Sequence, residues 1–264
     1  MGTAVRSTLQ RAATAWFVTA VAGQWLFVYY ISAFYGPATA SGDWAAWDRN
    51  KNMTDGYLAG DDAGNLFFAA HVACAAAVTF AGALQLIPWI RQRAIAFHRW
   101  NGRVFMIAAL TGALGGLYLE WIRGTGMRAP TGLASAFGVT LNAVLILWFV
   151  VVAWLAARNR NVAVHRIWAT RLFLVVNGTW FMRVGVRAWY ALTGDTFDGF
   201  PFFSYWSFAA YLLPLAVYEL YLRAKTSSPA AQQAMATCLV VLTIVMGIGE
   251  VLTFLRNWRP LLAL

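Results

Sequence analysis

Seven long apolar runs separated by shorter polar stretches set the reading of this chain. They fall at roughly 13–35, 66–90, 97–122, 132–157, 164–192, 203–222 and 234–255, each near or above the ~20 residues that a helix needs to cross a hydrocarbon core. The ten-residue alternation of barrel strands is missing, so the pattern predicts an all-α, polytopic membrane helix bundle of about seven transmembrane helices in a single domain, 1–264. The first run is too long for the apolar part of a typical signal peptide and reads as an uncleaved span, with Ala38-Thr39-Ala40 keeping cleavage as the minor alternative. The longest polar stretch, 36–64, carries Asp43, Asp48, Asp55, Asp61 and Asp62 against Arg49 and Lys51. Trp44, Trp47 and Tyr57 within it fit a loop lying on the membrane interface.

Composition agrees: 61% hydrophobic and 11% charged residues, with a mean hydropathy of +0.59, exclude an ordinary soluble domain. The net charge of +10 is spread over short loops between the runs, which is a topology signal and not a nucleic-acid patch. With alternating ends, one side holds twelve basic residues and the single acid Glu219, and the other holds eight basic and nine acidic residues. The positive side is the cytoplasmic one, so the chain is expected to be a multi-pass protein of the cell (cytoplasmic or inner) membrane with its N-terminus inside. Cys74 and Cys238 lie far apart in apolar runs and read as buried structural cysteines.

Two polar interruptions match each other. RQRAIAFHRWNGR at 91–103 and RNRNVAVHRIWATR at 158–171 align at an offset of 67, so that Arg91, Arg93, Ala96, His98 and Arg99 fall on Arg158, Arg160, Ala163, His165 and Arg166. Either loops of similar composition converged, or the chain contains an internal two-helix repeat. In both cases His98 and His165 should lie at similar depth at the cytoplasmic ends of the third and fifth spans. His98, Arg99 and Arg103, like His165 and Arg166, occupy first helical turns, where the helix dipole already disfavours cations. Phosphates of membrane lipids answer that charge; so would the propionates of a haem whose iron is held by the two histidines.

Helical periodicity places further polar residues on stripes. His98 and Glu120 are about six turns apart and within about 40° of each other, with Gly102, Ala109, Gly112 and Gly116 between them. Such a stripe is either a packing seam or a slot for a flat ligand. In the fifth span His165 and Arg183 are 18 residues, five turns, apart, with Arg187 one turn beyond. Glu120 and Glu250 are intramembrane acids at comparable depth, so a cluster of Arg183, Arg187, Glu120 and Glu250 is expected, as structural pairing or as an anion or proton site. His71 and Gln85 share a face of the second span. His71 reads as a hydrogen-bonded interior residue or a ligand, and Gln85 as a hydrogen-bond partner at the depth of His98 and His165. No lysine is mid-span, which excludes a retinal Schiff base, and no GxSxG, HExxH or phosphate-binding glycine loop occurs.

From His71 to Arg183 the chain resembles the bacterial membrane family of domain of unknown function 2306. The match rests on His71 and Gln85, HRWNGR at 98–103, HRIWATR at 165–171 and an arginine, here Arg183, further along that helix. Ala169 departs from the Met expected after the Trp. The resemblance implies a multi-helix membrane fold and no established activity. HRWNGR is also similar to the His-Trp-x-Gly element of cytochrome b561-type haem helices, with Arg99 where a small residue is common. Two functions are therefore carried forward. In the first, His98 and His165 ligate the iron of one b-type haem between spans three and five, packed on Gly102 with Arg99, Arg166 and Gln85 around it, for electron transfer with a quinone or partner protein. In the second, a non-redox binding or transport protein handles a lipid, quinone-like molecule or small anion through its interior polar track. Whether the chain is an enzyme, and whether it forms a homo-oligomer, is left open.

Overall fold

A computed structural model describes residues 2–51, 56–125, 132–194 and 200–262, and all regular structure among them is helical. Asp55, one of the acids of the long polar stretch, lies outside the described residues. The helices are α1 (Gly2–Ser41), α2 (Asp62–Leu86), α3 (Pro88–Arg93), α4 (Ile95–Leu117), α5 (Gly132–Arg158), α6 (Val162–Val176), α7 (Gly178–Thr193), α8 (Phe200–Ala224) and α9 (Pro229–Thr253). Five of them, α1, α2, α4, α5 and α9, are long and apolar enough to cross a membrane, α4 and α9 counted with the turns that extend them to Ile122 and Leu261. Their outer faces carry exposed Ile107, Leu114, Val151 and Ile244, a surface that water would penalise and lipid accepts.

Two of the expected spans are broken. The run 66–90 ends as a helix at Leu86, because Pro88 has no N–H to give and pushes Ile87 into an extended conformation (ψ 114°); a short α3 restarts at Pro88. The run 164–192 is interrupted at Asn177 (φ −88°, ψ 10°), which separates α6 from α7. Asn177 Nδ2 donates to the Phe173 carbonyl at 2.8 Å, so the side chain replaces part of the lost backbone ladder. The five-turn phase that put His165 and Arg183 on one face does not run through this break.

Packing follows a closed circuit: α2 lies against α1, α4 and α6; α5 against α4, α6 and α8; α7 against α8 and α9; and α9 returns to α1. Glycines set the closest approaches. At Gly249 of α9 a Cβ would run into the Val184 carbonyl of α7, and at Gly185 into the Trp206 ring of α8.

Trp44–Arg49 of the long polar stretch forms a packed element. Trp47 is 2% exposed, stacked on Trp44 and packed against Phe68 and Tyr35, so the short 3-10 helix Trp44–Arg49 folds inward as a cover over α1 and α2. Asn50 Nδ2 closes it by donating to the Tyr30 and Tyr35 hydroxyls, each at 2.9 Å. Cys238 is exposed, in contrast to the buried role expected, and Cys74 is half-buried; both are free thiols.

Gly249→Ala is expected to destabilise the protein by about 1–3 kcal/mol through overpacking, seen as a lower melting temperature in detergent. Gly36→Ala, where nothing lies within 4 Å of the new Cβ, should leave the melting temperature unchanged or raise it.

Candidate functional site

The polar residues divide into three groups. At the start of α4 and α6, His98 and His165 are each the fourth residue of their helix, and each backbone N–H closes the first turn, onto the carbonyls of Ala94 and Asn161. The two rings are within electrostatic reach of each other. His165 Nδ1 is 3.0 Å from the Ala153 carbonyl of α5, while His98 Nδ1 is buried without a partner. Gln85 does reach His98, but through its backbone: Nε2 donates to the His98 carbonyl at 3.0 Å. The face of Gly102 is filled by the same Gln85, whose Oε1 would stand 3.2 Å from a Cβ there. Arg99 and Arg166 are exposed, and Arg103 stacks over Trp100.

The second group lines a partly open cavity of about 380 Å³ in the bundle interior, among α2, α4, α5 and the α6–α7 break. His71, Glu120 and Arg183 contribute to its wall from three different helices. Gly112 and Gly116 of α4, Asn142 of α5 and Asn177 line it as well. His71 Nδ1 bonds the Gly112 carbonyl at 3.0 Å, and its ring rests on Gly116. Glu120 sits in a π turn, Tyr118–Ile122, in which the Arg123 N–H reaches back five residues to Tyr118. That widened turn aims a 7% exposed carboxylate inward, with Oε1 lacking a hydrogen-bond partner. Asn177 Oδ1, Asn142 Oδ1 and the indole N–H of Trp180 are buried and unpartnered in the same wall.

A third group forms an outer pocket of about 490 Å³, lined by Tyr30, Asn50, Arg187, Tyr190 and Asn257 among others. Arg183 lines this pocket as well as the interior cavity, so one guanidinium belongs to the wall of both. Its Nη1 donates to the Thr179 carbonyl at 3.0 Å, and it lies over the Phe27 ring. Arg187 Nε donates to Asn257 Oδ1, from a second π turn at Phe254–Trp258.

The expected cluster of two arginines and two glutamates is thus distributed. Glu120 and Arg183 share the cavity, Arg187 faces the outer pocket, and Glu250 lies elsewhere, pressed against Gly23 where α9 meets α1, its Oε1 unpartnered. The fully buried Gln24, next to Gly23, also has both side-chain polar atoms unpartnered. A lone glutamine in an apolar run was the available signal for it.

Sequence reasoning also missed Arg123. It is 6% exposed and pairs Nε with Asp61 Oδ2 at 2.9 Å, Nη2 with Asn65 Oδ1 at 2.6 Å and Nη1 with the Gly56 carbonyl at 3.3 Å. Asp61 meanwhile caps α2 by accepting from the Gly64 N–H at 2.9 Å. One arginine therefore pins the end of α4 to the start of α2 and to the Gly56 carbonyl of the segment before it. At the opposite ends of the helices a bidentate pair, Arg171 with Glu219 at 2.7 and 3.0 Å, links α6 to α8.

Arg123→Ala should cost about 2–4 kcal/mol, less than a fully buried pair because Asp61 is 35% exposed, and should open 42–61 to limited proteolysis. Asp61→Asn keeps a capping oxygen and is expected to cost less, about 1 kcal/mol, on the same melting assay.

Comparison with known proteins completes the assignment. No curated protein and no solved structure matches this chain. The family model described as a predicted membrane protein, DUF2306, matches residues 68–222, from the cover-facing turn of α2 to the end of α8, and takes in both HR motifs and the cavity-lining residues other than Phe27 of α1. The chain belongs to this membrane-protein family.

Proposed function

We propose that this membrane protein is a binding protein whose interior cavity takes a lipid, a quinone-like molecule or a small anion. The observation that carries the reading is the convergence of His71, Glu120 and Arg183 from three helices on one space of about 380 Å³. That volume falls within the ~300–1,000 Å³ of ordinary small-molecule sites, and the wall combines apolar side chains with a few polar ones, as such sites do. Ionisable groups at this depth are costly unless they serve a ligand or a partner. The outer pocket offers an approach, since Arg183 borders both spaces.

The fuller topology belongs to this proposal. α6 and α7, of 15 and 16 residues, make one interrupted crossing, and α8, of 25 residues, makes another, which gives seven. The basic ends carrying His98 and His165 then face the cytoplasm of a bacterial-type inner membrane, and the cover faces outside. A homo-oligomer is compatible with the exposed helix faces.

Native mass spectrometry of the purified protein should find a retained small molecule. Gly116→Leu, whose side chain displaces the His71 ring that rests on Gly116, should lower its occupancy about tenfold or more, the effect of losing ~1.4 kcal/mol. Wild-type protein that carries nothing, or a variant that retains the molecule equally, sinks the proposal.

A haem b held by His98 and His165 is the second reading. It is favoured by the matching places of the two histidines in the first turns of α4 and α6 and by the Ala153 carbonyl, which orients His165 through Nδ1 and leaves Nε2 for a metal. Neither ring lines either of the two cavities, and Gln85 occupies the Gly102 face on which a porphyrin was expected to pack. Bound haem would supply one-electron chemistry toward a quinone or partner protein. Expression with ample haem should then give a Soret band that shifts on reduction and disappears in His98→Ala and His165→Ala. A colourless wild-type preparation removes this reading.

A further inference from the structure

The walls of the interior cavity are short of hydrogen-bond donors in a specific way. Asn177 is 1% exposed, and its amide orientation is set because Nδ2 is committed to the Phe173 carbonyl; Oδ1 is left with nothing to accept from. His71 meets the Gly112 carbonyl through Nδ1, which must therefore carry the proton, so the neutral ring offers Nε2 as an acceptor. Glu120 Oε1 and Asn142 Oδ1 are also unpartnered. Acceptors from α2, α5 and the helix break, joined by the Glu120 carboxyl at the end of α4, thus line one space. The opposing donors are the guanidinium of Arg183 at the outer edge and the unpartnered indole N–H of Trp180.

We propose that the cavity selects a hydroxyl-bearing aromatic ring, of the hydroquinone or phenol class, over its carbonyl counterpart. This rests on the binding reading above and names its ligand. A hydroxyl donates one hydrogen and accepts through its oxygen, so it answers the Asn177, His71 or Glu120 acceptors and the Trp180 N–H together. A quinone carbonyl answers only Trp180 and Arg183, and sets oxygen against oxygen elsewhere. A small anion meets the same conflict at Glu120, and an ammonium group meets the positive charge of Arg183. Phe27, Phe68 and Trp180 in the wall give a planar ring aromatic surfaces to pack against. Leaving such buried groups unpaired discriminates strongly against the ligand that cannot reach them.

Anaerobic calorimetric titration of the purified full chain tests this with three probes of one shape: a decyl-substituted hydroquinone, the matching quinone and the hydroquinone dimethyl ether. The hydroquinone should bind about tenfold or more tighter than either of the others, the value of one satisfied hydrogen bond. Asn177→Leu should abolish that preference while the quinone affinity stays within about twofold, a change below ~0.5 kcal/mol. If Asn177→Leu does not fold, Glu120→Leu reads out the same loss from the other end of the wall. Equal binding of all three probes, still abolished by Gly116→Leu, overturns hydroxyl selection and leaves the binding reading standing. No binding of any probe, with a different molecule retained in native mass spectrometry, overturns the ring class alone. No binding and no retained molecule overturns both.

Discussion

A backbone N–H or C=O left open in hydrocarbon has no water to turn to, and this requirement shapes the molecule around Asn177. Breaking α6 from α7 inside the bundle, where Asn177 is buried, frees several such groups. The chain meets the cost locally: the Asn177 amide bonds the Phe173 carbonyl, Trp180 and Phe181 N–H groups return to the Asn177 carbonyl, and Gly178 lets Asn142 of α5 come within 3.2 Å of where a Cβ would be. The interior cavity lies against this repair. Irregular backbone is tolerated at membrane depth where protein or a lined cavity surrounds it, so the break and the cavity account for each other.

The same logic applies to the two π turns. Each adds a residue to a helix end, rotates the residues beyond it, and leaves a polar side chain facing a space: Glu120 the interior cavity, Asn257 the outer pocket. Neither turn is tied to Pro or to a Gly pair at its own positions, and both occur where a helix meets another polar anchor, Arg123 in one case and Arg187 in the other. The polar residues are thereby held by rigid helix ends and not by loops.

The helical architecture was legible because apolar runs of membrane length have few other solutions. So were several cavity residues: His71, Glu120, Arg183, Gly112 and Gly116 each stand out as a polar or small residue at helical spacing in an apolar stretch. What periodicity could not give was phase across an interruption. Asn177-Gly178 is a turn dipeptide within the apolar run 164–192, and reading that run as one helix carries the phase of His165 across the break to Arg183. Depth alone groups Glu250 with Glu120, but depth does not say which pair of helices a residue lies between. Arg123 and Asp61 look like ordinary surface charges because their pairing spans 62 residues, and a long-range contact leaves no local pattern.

That span has a consequence for biogenesis. Asp61 and the Gly56 carbonyl are made well before their partner, and at about 5–20 residues per second roughly 3 to 12 seconds pass before Arg123 is polymerised. Until then the start of α2 has no anchor on the end of α4, while the cover is already held by contacts made earlier in the chain, Trp47 on Tyr35 and Phe68 and Asn50 on Tyr30 and Tyr35. Translation order therefore makes the Arg123 clamp a lock on two finished helices and not a guide for inserting them.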